Sequence, residues 1–231
     1  MPGSIFTYFH NPRASRFSRK GVKTAMTAKG LLGSGKKPVI AYLNGGPTDN
    51  NSKLFKNGYS GVLDPLIKSG KATKGPDQGV PGWDNQKAGT IFEQMLVKTG
   101  NKIDAVAAAN DGLANAVVVD LKAHKLSPIP LSGQDATPQG VQNIISGWQT
   151  MTVWKDTRVL AKAAARSAIQ LLKGQKLTTT GTVPNGKKKE PAFILEIGLV
   201  YLIISALALG MLWHVGELPP GYQLTTQISW V

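Results

Sequence analysis

The chain has no cysteine, three histidines and few acids, and each scarcity removes a class of function. Without cysteine there is no disulfide framework, no thiolate metal site and no cysteine nucleophile. His10, His124 and His214 all fall away from the strand-to-helix junctions where chemistry concentrates in alternating α/β sequences, and His124 reads as a solvated residue at a helix end. No GxSxG, HExxH or Walker A pattern is present, and a catalytic Asp49–Asp135 pair would lack a companion acid or base. The expectation is a protein that is not an enzyme and has no metal site and no cofactor.

The formal net charge of +14 suggests nucleic acid until it is divided along the chain. Residues 1–37 hold eight Lys/Arg and no acid, 38–196 hold nineteen bases and twelve acids, and 197–231 hold only Glu217. The excess sits at the front rather than along one face, so no nucleic-acid partner is expected. An apolar signal core is also missing from the start, because Arg13, Arg16, Arg19 and Lys20 follow Phe6, Tyr8 and Phe9 closely.

Between Lys36 and Lys173 short apolar runs alternate with helical stretches, which predicts an α/β fold with a parallel sheet flanked by helices. Strands are expected at Val39–Leu43, Ile103–Ala108, Ile129–Ser132 and Met151–Trp154, with a weaker one near Lys71–Gly75. Helices are expected at about Asn50–Ser69, Asn85–Thr99, Asp111–His124, Pro138–Ser146 and Asp156–Lys173, each opened by a polar cap or early proline. Four segments follow: 1–35, a basic lead-in; 36–152, a binding lobe; 153–190, a strand, helix and loop; and 191–231, an apolar tail. Within that tail Ile197–Trp213 is uncharged for 17 residues, a borderline candidate for a membrane-spanning helix, although membrane contact is not the favoured reading.

In such sheets ligands bind beyond the carboxyl ends of the strands. Polar clusters stand at three of these ends: Thr48-Asp49-Asn50-Asn51, Asn110-Asp111 and Gly133-Gln134-Asp135. Carboxylates accept hydrogen bonds and carboxamides both donate and accept, which suits the vicinal hydroxyls of a sugar. Trp83, in the loop Gly79-Val80-Pro81-Gly82-Trp83, offers an indole for the C–H face of a pyranose. The competing reading makes Asp49, Asn110 and Asp135 helix caps and Trp83 a hydrophobic plug.

The runs Leu43–Asn51, Pro81-Gly82-Trp83, Ala108–Asp111, Ser132–Ala136 and Thr150–Lys155 resemble, in that order and at similar intervals, the D-xylose-binding proteins of the periplasmic sugar-binding family. The resemblance covers about residues 36–195. It implies a Rossmann-like lobe of the type I periplasmic binding protein fold and the substrate-binding component of an ABC-type sugar importer. The implied partners are a monosaccharide, D-xylose or a related pentose, and a membrane permease. The family's location is periplasmic or cell-surface. Matching positions make Asp49, Asn51, Asn110 and Asp135 hydroxyl partners, Trp83 the stacking ring, and Lys155 a contact from the hinge strand. The family's first lobe has no counterpart before Lys36 and the likeness stops after Leu195, so the expectation is a truncated form with weakened binding. The alternative is a sugar-responsive transcription regulator of the same lobe architecture, but Arg13–Lys29 has too few apolar positions at helical spacing for a helix-turn-helix.

Overall fold

The computed structural model describes residue 22, residue 31 and residues 37–154, 156–185, 188–193 and 198–201. The apolar run after Pro38 forms strand β1 (Val39–Asn44), in which Ile40 through Asn44 are all buried. β1 lies at the centre of a parallel three-stranded sheet between β2 (Thr73–Gly79) and β3 (Ala105–Ala108). A run without alternation belongs at such a position, because a central parallel strand is covered on both faces.

The weak strand near Lys71–Gly75 is displaced to Thr73–Gly79. Its sequence, TKGPDQG, is almost devoid of apolar residues, and pairing rather than propensity makes it a strand. The register with β1 slips between Ile40 and Tyr42, opposite Gly75 and Pro76. A Cβ at Gly75 would stand 2.8 Å from the Ile40 carbonyl oxygen, so this approach requires glycine. Pro76 is tolerated because β2 is the outer strand of the described sheet.

Ile129–Ser132 forms only a single parallel bridge, Val106 to Leu131, instead of a strand. Pro128 and Pro130 supply no donor, and the Leu131 amide is taken by the Thr150 hydroxyl at 3.1 Å. β3 likewise begins two residues later than expected, since the Asp104 amide and carboxylate both bond the Val39 backbone outside the ladder.

The helices lie within one residue of their expected ends: α1 (Asn50–Lys68), α2 (Asn85–Thr99), α3 (Asp111–Ala123), α4 (Pro138–Ile145) and α5 (Thr157–Leu172). α1 buries Phe55, Tyr59 and Leu63, α2 buries Ala88, Phe92, Met95 and Leu96, and α3 buries Leu113, Ala114, Val117 and Leu121. These stripes at helical spacing close the core over the sheet. Val22 is helical, 1% exposed and part of that core.

β4 (Met151–Trp154) pairs antiparallel with β7 (Gly198–Tyr201), and β5 (Gly181–Asn185) forms a hairpin with β6 (Lys188–Ala192). Gly198–Tyr201, inside the candidate membrane stretch, is therefore extended rather than helical. The remainder of Ile197–Trp213 lies outside the described residues. Among the described residues no helix is long and apolar enough to cross a membrane.

Candidate functional site

β1 and β3 run parallel, so their carboxyl ends share one edge of the sheet. Backbone bonds stitch the segments beyond that edge: Ala109 N–H to Leu43 O at 3.0 Å, Val80 N–H to Asn44 O at 3.0 Å and Asp111 N–H to Gln134 O at 2.8 Å. The buried Gln134 carboxamide donates to Ala109 O at 3.1 Å and the Ser132 hydroxyl to Ala108 O at 3.0 Å. The segments that follow β1, β3 and Leu131 thus leave the sheet at one edge, tied to one another by these bonds.

Asp49 occupies the N-cap of α1. Its Oδ1 accepts from the Asn51 amide at 2.8 Å and its Oδ2 from the Trp83 indole N–H at 3.1 Å. Capping and site membership coexist here, because each carboxylate oxygen offers two lone pairs and spends one in these bonds. Asn51 follows in the first turn of α1, half-buried. Asn110 also caps, with its Oδ1 accepting from Leu113 N–H at 2.9 Å at the start of α3.

Trp83 is half-buried in a short 3-10 turn (Pro81–Trp83), with its ring laid across the Gly45-Gly46 backbone. A Cβ at Gly45 would overlap the indole and one at Gly46 would stand 3.2 Å from its Cδ1. Phe55 meets the same ring edge to face, with centroids 6.3 Å apart. The loop Trp is therefore a plug on one side, fixed by Asp49, and it holds a φ of 58°, an outlier for so bulky a residue.

Asp135 corrects one reading: it is not the N-cap of α4. α4 is capped by Thr137, whose hydroxyl accepts from Gly140 N–H at 3.0 Å, with Pro138 in the first turn. Asp135 is exposed, with φ at 99°, and Ala136 follows at 50°. Among the described residues, three of the five non-glycine residues at positive φ are thus Trp83, Asp135 and Ala136. Such strain collects where function over-determines the backbone. Lys155 lies outside the described residues.

Asp111 is set by the sequence in the polar cluster after β3 but given no role of its own. It is completely buried, with Oδ1 accepting from the Thr152 hydroxyl at 2.7 Å and the Gln149 carboxamide at 2.8 Å, and Oδ2 from Thr137 N–H at 2.9 Å. A Cβ at Gly133 or Gly140 would overlap its carboxylate, so two glycines make its socket. Burial pushes its carboxyl above the ordinary range, the bonds from Thr152, Gln149 and Thr137 pull it back, and the charge of Asp135 adds to the rise. No pattern in the sequence separates a buried Asp at a helix start from a solvated one.

At the end of β1, Asn44 donates to Asp77 Oδ1 at 2.8 Å and to Gln78 O at 3.0 Å, and it accepts from the Tyr59 hydroxyl. Asp77 also takes Lys56 at 2.7 Å and Lys74 at 3.1 Å. Burial raises its carboxyl, but these hydrogen bonds outweigh burial and hold it below the ordinary range. This network fixes the spacing of β1 and β2. A cavity lined by Asp77, Gln78, Gln94 and Lys98 opens between β2 and α2 and includes none of the candidate residues. Among the described residues no group of His, Asp and Glu is placed to hold a metal ion.

Residues 21–176 match a family model described as a periplasmic binding protein domain. The D-xylose-binding periplasmic protein of Haemophilus influenzae is 43% identical over 155 residues, covering 67% of this chain and 47% of that protein. That of Escherichia coli is 43% identical over 154 residues, covering 66% of this chain and 47% of the relative. The chain therefore spans about half the length of these curated relatives. In three dimensions it is similar to an ABC transporter solute binding protein from Clostridium phytofermentans solved with β-D-glucose bound, at 25% identity and a TM-score of 0.74, over 81% of this chain and 62% of the other.

Proposed function

This chain belongs to the periplasmic binding protein domain family, with the type I fold, and from that premise we propose that it binds a monosaccharide, D-xylose or a related pentose, at the carboxyl edge of its parallel sheet. The role is that of a substrate-binding component for an ABC-type importer, working with a membrane permease in the periplasm or at the cell surface. It is a role of capture, not catalysis.

One observation carries the reading: the segments bearing the polar residues leave β1, β3 and the Leu131 bridge at one edge of the sheet, tied to one another by backbone bonds, with the Trp83 indole bonded to Asp49. Asp49 and Asp135 serve as acceptors, Asn51 and Asn110 as mixed donors and acceptors, Trp83 as a ring beside the sugar and Lys155 as a cation from the strand end. A hydrogen bond to a charged group contributes about 1.5–3 kcal/mol, so a site built this way discriminates against a ligand lacking the hydroxyl. The identity to D-xylose-binding proteins favours a pentose over larger sugars. The pairing of β4 with β7 and the lack of any buried residue on α5 fit a division into a binding lobe up to residue 152 and a separate connecting segment after it.

The test is a titration with D-xylose, D-ribose and D-glucose followed by tryptophan emission, with Trp83→Phe as the control. A saturable change given best by a pentose and altered in the variant is the expected result. Identical, non-saturating traces for all three sugars would refute the assignment.

A further inference from the structure

We infer that Asp111 is the positioning residue of the site, holding Asp135 in its left-handed conformation through a relay of buried hydrogen bonds. The inference deepens the sugar-binding reading and rests on it for the role of Asp135.

The loop Gly133–Thr137 carries Asp135 and Ala136 at φ values of 99° and 50°, which side chains other than glycine rarely adopt without support. Asp111 supplies that support at both ends of the loop and in its middle. Its own N–H donates to Gln134 O at 2.8 Å, before the strained pair. Its Oδ2 accepts from Thr137 N–H at 2.9 Å, just after it. Between them, Thr152 forms a bridge: its hydroxyl donates to Asp111 Oδ1 at 2.7 Å and accepts from Ala136 N–H at 3.1 Å.

A hydroxyl has one proton, and the Ala136 amide can only donate, so the Thr152 proton is committed to Asp111. The carboxylate therefore sets the orientation of the group that grips the loop. The Asp135 amide is separately fixed to Val153 O at 2.8 Å, which ties the same loop to β4. Asp111 itself is closed off from solvent by Gly133 and Gly140, so its reach to a ligand passes through Asp135.

The test uses the full chain with Thr152→Val, which cuts the bridge, and Asp111→Asn, which removes the charge that organises it. Amide hydrogen exchange is read first, without sugar. At least about tenfold faster exchange at Ala136, with Tyr42 and Phe92 amides unchanged, is expected in both variants. Unchanged exchange at Ala136 in Thr152→Val would overturn the relay even if Asp111→Asn failed to fold.

Xylose affinity is read next in a double-mutant cycle with Asp135→Ala. A loss of about tenfold for Asp111→Asn that shrinks below about threefold in the Asp135→Ala background marks action through Asp135, whereas losses that multiply overturn it. A wild-type chain that binds no xylose would sink the sugar reading alone, and the exchange rates would still decide whether Asp111 holds the loop.

Discussion

α3 and α5 are both capped helices with apolar residues at helical spacing, yet they end in opposite environments. Asn110 opens α3 and Asp156 opens α5, each through a side-chain bond to a first-turn amide. α3 buries seven residues, from Asp111 to Leu121, whereas α5 buries none, and its Ile169 and Leu172 are 52% and 88% exposed. Caps and propensity determine where a helix starts. Whether its apolar face is covered depends on the strands and helices beside it, and among the described residues only the segment up to Trp154 supplies them.

Leucine truncation breaks or sharpens that comparison most strongly. Leu121, 1% exposed, lies on α3, so Leu121→Ala should cost about 2–5 kcal/mol of unfolding free energy, while Leu172→Ala should stay within about 0.5 kcal/mol. Equal costs in denaturant titrations would show that the α5 face is covered after all. Cap removal gives the next largest effect. Asn110→Ala should lower global stability by about 1 kcal/mol, whereas Asp156→Ala should speed amide exchange within α5 and leave the global transition in place.

A pH effect completes the contrast, because α5 contains no carboxylate and α3 contains Asp120. Burial, then the charge of Glu93, raises the Asp120 carboxyl from 3.8 to about 6, partly offset by His124. Its buried Oδ2 has no hydrogen-bond partner among the described residues. The folded state therefore holds this proton more tightly than the unfolded chain does. Stability from this group is present at low pH and is lost as pH rises from about 4 to about 6. Asp120→Asn should consequently be more stable than wild type above pH 6, by roughly 1 kcal/mol after allowance for solvent screening, with the gain fading towards pH 4. Thermal unfolding at pH 4.5 and 7.5 reads it directly.

The sequence carries the helix boundaries well, because caps are local: Asp49, Asp84, Asn110 and Asp156 each bond an amide two or three residues on. It also points to the carboxyl edge, since the junction positions follow from alternation alone. Thr137-Pro138 was a readable cap signal, stronger than Asp135, and the structure follows it. Long-range relations were not readable. Nothing local tells that Gly45 and Gly46 exist to admit the Trp83 ring, that Pro128 and Pro130 thin a strand to one bridge, or that Asp111 gathers partners as far along the chain as Thr152.

The central claim is that the strand-end cluster holds a sugar, and calorimetric titration of the purified chain with D-xylose, beside Asp135→Ala, tests it most directly. The account predicts saturable heat in the wild-type chain and affinity at least about tenfold weaker in the variant, the loss of a hydrogen bond to a charged group. Binding that is indifferent to Asp135, or absent up to about millimolar sugar, would contradict it.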